Sequence, residues 1–341
     1  MSFLINGVPV IDTDLNYCVN SLYIEKGIAV GSNVSILTSP LWGESAGYTS
    51  GGNTPSASTN NIEKYPFAST SLTAVAVGTL TVARAGHRIS QSSKQHGYHA
   101  GGYVIPNSFS NTIDKYPFSN NTNATDVGDL NGSISAAAGL SSVTHGYTAG
   151  GNQPVNPNLQ RRIDKFPFAA DASATNIGNL CACRAGTSTA SSIDAGFVAT
   201  GENSASGGYA NYIERFPFAN ETSIANVGTV VACGYGAGGN SSCTDGYITG
   251  GKFPPSTYYS CIQKYPFSTT VTTTNVGSLC LARLNQGSSS SIVGGFNAGG
   301  EIPGSPAVST CIEKFPFSSS VTSSYVGNLI CSRVGLGGTQ V

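Results

Sequence analysis

One hexapeptide dominates the chain. Ile62-Glu63-Lys64-Tyr65-Pro66-Phe67 returns from Ile113, Ile163, Ile213, Ile262 and Ile312, at intervals of 51, 50, 50, 49 and 50 residues. Whatever the chain folds into must be built from six near-identical units, which fill it from about residue 40 onward. Each unit carries two further marks. A Gly-aromatic pair precedes the hexapeptide (Gly47-Tyr48, Gly97-Tyr98, Gly146-Tyr147, Gly196-Phe197, Gly246-Tyr247, Gly295-Phe296) and leads to Gly-Gly, except that the fourth copy reads Thr200-Gly201. A Val-Gly-x-Leu turn follows it, as in Val127-Gly128-Asp129-Leu130, with Val230 in place of the Leu once, and four residues later stands Arg84, Arg184, Arg283 or Arg333, with Ile134 and Gly234 as the exceptions.

The segments between these marks are short, rich in β-branched and aromatic residues, and punctuated by Gly, Pro, Asn and Ser. That pattern predicts strands joined by tight turns and no amphipathic helix. A unit of this size cannot bury both faces of its own sheet, so neighbouring units must stack. Radial stacking also covers most sheet edges, which would otherwise invite aggregation.

The residues here resemble the kelch repeat of β-propellers. That pattern of a polar turn, a strand ending in Gly-Gly, a Tyr-containing strand and a Trp-x-x-Leu turn maps onto Arg84, Gly101-Gly102, Tyr116-Pro117 and Val127-Gly128-Asp129-Leu130. The Trp is replaced by Val-Gly or Ile-Gly in every copy, which marks a divergent group. The resemblance implies an all-β fold: a six-bladed kelch-like β-propeller at 39–341, preceded by a short β-rich segment at 1–38. Val341 lies only eight residues after Arg333, whereas the second glycine of other copies lies 17 or 18 residues after the equivalent position. The last copy therefore lacks its glycine strand, and a strand near residues 40–52 is expected to complete the blade built from residues 300–341.

Composition narrows the function. Charged residues are 10% of the chain, but hydrophobic residues are 39%, enough for a packed core, so disorder is excluded. A net charge of -1 with scattered Lys and Arg leaves no basic patch for phosphates, so no nucleic-acid partner is expected. No apolar run reaches the roughly 18 residues that span a bilayer, so no membrane insertion is expected. The N-terminus lacks the basic segment of a secretory signal. The Lys or Arg of the hexapeptides (Lys64, Lys115, Lys165, Arg215, Lys264, Lys314) and their acidic neighbours (Glu63, Asp114, Asp164, Glu214, Glu313) are expected to point to opposite faces, as inter-blade bonds or in solvent. The four Arg are expected to bond carbonyls of adjacent blades. The nine Cys are read as reduced, buried structural thiols, Cys181-x-Cys183 lacking the second pair of a zinc site. Among the His, His87 and His99 stand alone. No catalytic residue, metal or cofactor is expected, because a site would need a cluster of non-repeated polar residues at the channel mouth, which the sequence does not display.

What does vary is the connector from Gly-Gly to the hexapeptide. These loops emerge on one face, and loops on a rigid scaffold concentrate binding residues. Tyr103, Phe109, Arg161, Arg162, Tyr209, Phe253, Tyr258 and Tyr259 are the candidate interaction residues, suited to protein or glycan contact. Residues 1–38 lie outside the repeat. Phe3, Ile5, Asn6, Val10 and Ile11 belong to a hairpin expected around Asn6-Gly7 and are the candidate attachment residues. That opening, an Asn-Gly-x-x-Val-Ile-Asp run ahead of Ser/Thr/Gly/Asn-rich repeats, is similar to the starts of tailed-phage tail-fibre and virion proteins. The resemblance implies a structural virion component assembled in the host cytoplasm: a tail-fibre, tail or capsid-displayed propeller. Other virion proteins would bind residues 1–38, a host-surface protein or glycan is a further partner, and the chain could be a homo-oligomer. The alternative is a cellular kelch-type interaction scaffold.

Overall fold

A computed structural model describes residues 3–5, 8–11, 43–69, 72–86, 89–155, 158–203, 208–221, 224–232, 234–304, 308–320 and 322–341. The chain divides into two compact units, Met1–Ser39 and Pro40–Val341. In the first, strands Phe3–Ile5 and Val8–Ile11 pair antiparallel, with Phe3 opposite Ile11 and Ile5 opposite Val8. The turn residues Asn6 and Gly7 lie outside the described residues.

Among the described residues the second unit is all-β, and six of its sheets have a core of four antiparallel strands, consecutive strands being neighbours. Sheet II is Ser90–Ser92, His96–Val104, Ser108–Pro117 and Thr125–Asp129. Sheet III is Ala138–Ser141, His145–Ala149, Arg162–Pro167 and Thr175–Asn179. Sheet IV is Ser188–Ser191, Ala195–Ala199, Tyr212–Pro217 and Ala225–Thr229. Sheet V is Gly238–Ser241, Asp245–Thr249, Cys261–Pro266 and Thr274–Ser278, and sheet VI is Gly287–Ser290, Gly294–Ala298, Cys311–Pro316 and Ser324–Asn328. Sheet I takes Ala46–Ser50, Asn61–Pro66 and Val75–Thr79 from the start of the unit and its first strand, Gly337–Gln340, from the end. Residues 46–50 and the C-terminal segment therefore pair, Gly47 opposite Gln340 and Ser50 opposite Gly337. The sheet they complete differs from the expectation. It is the first one, because the strand after each Arg belongs to the sheet of the next copy, and sheet VI already has its four strands.

The recurrent marks now have local causes. The hexapeptide is the third strand and the Gly-aromatic pair lies in the second, in a register that sets Gly47 opposite Tyr65 and Gly97 opposite Tyr116. A Cβ at Gly97 would sit 2.4 Å from the Tyr116 ring, so this position must be glycine for the aromatic to lie flat across the neighbouring strand. The Gly-Gly pair ends the second strand with positive φ at both residues, 66° and 101° at Gly150 and Gly151. In the fourth copy Thr200 takes φ 59°, an unfavourable conformation for a β-branched residue.

Three interactions join each sheet to the next and run through all or most of the junctions. The aromatic of the second strand stacks on the last Phe of the next hexapeptide: Tyr48–Phe118, Tyr98–Phe168, Tyr147–Phe218, Phe197–Phe267 and Tyr247–Phe317, with Phe296–Phe67 joining sheet VI to sheet I at 4.5 Å. Each such pair is worth about 0.5–1.5 kcal/mol beyond its buried area. The Arg of one copy meets the acid of the next hexapeptide, with side chains at most 1% exposed: Arg84–Asp114 at 3.0 Å, Arg184–Glu214 at 2.8 Å, Arg283–Glu313, and Arg333–Glu63 at 2.8 Å. These Arg also bond carbonyls, as Arg84 Nε does to Gly101 O at 2.8 Å. The acidic residues are thus buried partners of the Arg, and solvent holds none of these four pairs.

The exceptions compensate. Ile134 leaves Asp164 without its Arg, and Arg162 supplies one within the sheet, Nε to Oδ2 at 3.1 Å. Gly234 coincides with Gln263, the one hexapeptide without an acid. The Gln263 amide satisfies itself, accepting the Val231 N–H at 3.1 Å and donating to Ala232 O at 2.8 Å. The third interaction is a hydrogen-bond cycle on the first strands. The N–H of Ser92 donates to Ser141 Oγ, Ser141 to Ser191, Ser191 to Ser241, Ser241 to Ser290, Ser290 to Gln340 Oε1, and Gln340 to Ser92 Oγ, at 2.9–3.3 Å.

Two residue readings are corrected. His99 is fully buried and its Nδ1 lies 2.8 Å from Ser50 Oγ, so it is packed between sheets rather than standing alone; His87 lies outside the described residues. The cysteines are not uniformly buried thiols. Cys181 and Cys280 are exposed, because the position after the turn Leu faces outward, and Cys243 is disulfide-bonded.

Candidate binding site at the ends of the first strands

Two cavities lie along and just before the first strands. Their alternate residues face the inner one, of about 70 Å³, and these are Ser, Thr and Gly with Gln340 and no charged group. The second, of about 310 Å³, lies at the N-terminal ends of the same strands, floored by Ser135-Ala136 and Ala185-Gly186. Its floor is fixed by backbone bonds that pass from sheet to sheet: Gly186 N–H to Ala136 O, Gly236 to Gly186, Asn285 to Gly236 and Gly335 to Asn285, at 2.7–2.8 Å. All five residues have positive φ, Ala136 and Asn285 among them at 52° and 56°.

Around this floor six antiparallel bridges hold the residue that follows each Gly-Gly: Asn53, Tyr103, Asn152, Glu202, Lys252 and Glu301. The same backbone place thus presents six copies of non-repeated chemistry. Three of them, Tyr103, Asn152 and Glu202, line the larger cavity, together with Phe109, Tyr235 and Asn285. Asn152, Glu202 and Asn285 supply its non-repeated polar groups. Among the described residues no group of three or more His, Cys, Asp and Glu is placed to hold a metal ion.

The candidate interaction residues separate into groups. Tyr103 and Phe109, on the long hairpin of sheet II, meet edge to face at 5.5 Å and face the cavity. Tyr209 is opposite Glu202 in a short antiparallel pair, stacks on Tyr235 at 5.8 Å and touches Phe253 at 5.4 Å. Burial, and then the Glu202 charge, push the Tyr209 phenol above its ordinary pKa, so it stays a neutral donor. Phe253 is 40% exposed beside this stack. Tyr258 is outside the cavity lining. It donates to Glu301, which raises its pKa, and Lys252 lies 4.6 Å from its ring. Tyr259 is tied by its N–H to Gly251 O at 2.8 Å. Arg161 is exposed, whereas Arg162 is partly buried and partners Asp164 and Gly132.

Sequence reasoning missed Tyr235, Asn152, Asn285 and Glu202. For Asn152 and Glu202 a signal was present: the residue directly after Gly-Gly changes from each copy to the next, while the glycines before it repeat. No protein-family model matches the chain, and no curated protein is significantly similar to it.

Proposed function

We propose that the second unit is a six-bladed kelch-like β-propeller that serves as a display module of a tailed-phage virion, its Gly-Gly face touching the host surface and residues 1–38 attaching it to other virion proteins. The cyclic order of the aromatic stacks, the Arg–acid pairs and the serine cycle supports the propeller, each sheet being a blade and the inner cavity its channel. The observation that carries the binding role is the rim: six symmetric backbone positions bearing Asn, Tyr, Asn, Glu, Lys and Glu around an aromatic-walled cavity on an otherwise repetitive scaffold. Binding residues placed on loops of a rigid frame are held without an ordering cost at each encounter. The low charge and high Ser, Thr, Gly and Asn content of the chain suit assembly by shape and hydrogen bonding, and support the virion reading in the same way.

Electron microscopy of native particles labelled with an antibody to the chain tests the reading. Label at a fixed particle position, with host-cell adsorption blocked by the recombinant second unit, is the expected result. Label confined to host cytoplasm with no effect on adsorption would overturn it in favour of an intracellular scaffold.

A further inference from the structure

The proposed function leaves the ligand class open, and the cavity itself narrows it. Its volume of about 310 Å³ sits at the lower end of small-ligand pockets, too little for a folded protein surface but enough for a compact ring or two. The floor backbone is already hydrogen-bonded from sheet to sheet, so recognition falls to side chains. Those are aromatic rings from two sheets, Tyr103 and Phe109 from one and Tyr235 from the other, with the amides of Asn152 and Asn285 and the carboxylate of Glu202. No Lys, Arg or His lines the cavity, so an anion finds no counter-charge there. Aromatic faces receive an apolar surface, while an amide both donates to and accepts from neighbouring hydroxyls and a carboxylate accepts from them. A ligand that offers a flat C–H face on one side and vicinal hydroxyls around its edge meets both demands.

Resting on the display-module reading, we infer that this cavity binds the terminal ring of a neutral saccharide, stacked on Tyr103 or Tyr235 and held at its hydroxyls by Asn152, Asn285 and Glu202. Because Tyr235 stacks on Tyr209, which touches Phe253, the aromatic wall continues outward, and a second sugar unit would follow that direction.

Saturation-transfer NMR of the full chain with glucose, galactose, N-acetylglucosamine and their β-linked disaccharides tests this. The expected result is transfer to ring protons of at least one sugar, weakened tenfold or more in Tyr103→Ala, Tyr235→Ala and Asn152→Ala. Tyr325→Ala, an exposed tyrosine on the last strand of sheet VI, should bind as the parent does. Melting curves show which variants are folded, and Asn152→Ala, a polar surface change, keeps the test usable if an aromatic variant is not. No transfer with any of these sugars, or transfer equal in the folded variants and parent, overturns the inference. Failure of the two readings is separable. Host cells that retain the protein without sugar binding sink the saccharide alone, and sugar binding without any effect on adsorption sinks the display role alone.

Discussion

Replacing Arg333 with Met should destabilise the second unit far more than its surface location in sequence, eight residues from Val341, suggests. Arg333 and Glu63 are fully buried at 2.8 Å, and the guanidinium also donates to Gly51 O at 2.7 Å and Thr49 Oγ1 at 3.0 Å. Removing it strands a buried carboxylate, which costs about 3–5 kcal/mol. At about 2.1 cal/mol/K per residue, a unit of about 300 residues unfolds with an entropy near 0.6 kcal/mol/K, so the melting temperature should fall by about 5–8 °C. The double variant Arg333→Met, Glu63→Gln should recover most of that loss, because Gln can still accept the Ile330 N–H that Glu63 Oε2 takes at 2.9 Å. Gly234 with Gln263 is the natural version of that replacement. Calorimetry of the two single variants and the double gives the coupling directly. A double variant that melts as low as the sum of the singles would refute the claim that the cost lies in an unpaired buried charge. As a reference, Lys115→Met, which loses a contact to the 60% exposed Asp171, should change stability by no more than about 1 kcal/mol.

Three further outcomes follow from the same geometry. Thr200→Gly should stabilise by about 1–2 kcal/mol, seen as a higher melting temperature, by relieving a positive φ and removing a buried hydroxyl without a hydrogen bond; a lower melting temperature would contradict this. Deleting residues 336–341 removes Leu336, the first strand of sheet I and the Gln340 link, and should lower the melting temperature by about 8 °C or more, at about 1 kcal/mol for each of some four lost hydrogen bonds and about 2 kcal/mol for Leu336. His96 and His145 have pKa values held below the ordinary 6.5, first by burial and then by Lys115 and Lys165. The unfolded chain then takes up more protons than the native one as pH falls through 6.5, so stability is present above that pH and declines below it. Exchanging both His for Gln should flatten the decline in urea titrations at pH 5–7, and an unchanged slope would exclude them as its source.

The strands were legible because the repeat aligns every copy with every other: the hexapeptide fixes the third strand and the Gly-aromatic pair the second. The Arg–acid pairing was harder to see. Partners such as Arg84 and Asp114 lie 30 residues apart and Arg333 and Glu63 lie 270 apart. Strand alternation alone says which face a charge points to, not whether another sheet covers that face. The paired loss of Arg at Gly234 and acid at Gln263 was the clue, since two deviations from a repeat rarely coincide by accident. The cavity was half legible. Aromatic connectors drew attention to Tyr103, Phe109 and Tyr209, but Asn152 and Glu202 look like ordinary turn residues until the bridges place them on one rim. The serine cycle left no signal, because Ser is common throughout the chain and only register singles out Ser92, Ser141, Ser191, Ser241 and Ser290.

That cycle also acts as a counter. Tandem copies of about 50 residues invite duplication and loss, yet each first-strand N–H must find an oxygen on the next strand and the last must find Ser92. In the proposed propeller a seventh copy would leave the glycines that permit close approach between first strands, such as Gly239 against Thr189 and Gly338 against Ser288, facing gaps. A five-copy chain would crowd them. In the proposed propeller the number of repeats is therefore held by hydrogen-bond arithmetic along the first strands, while the connectors between Gly-Gly and the hexapeptide are free to change in length and content.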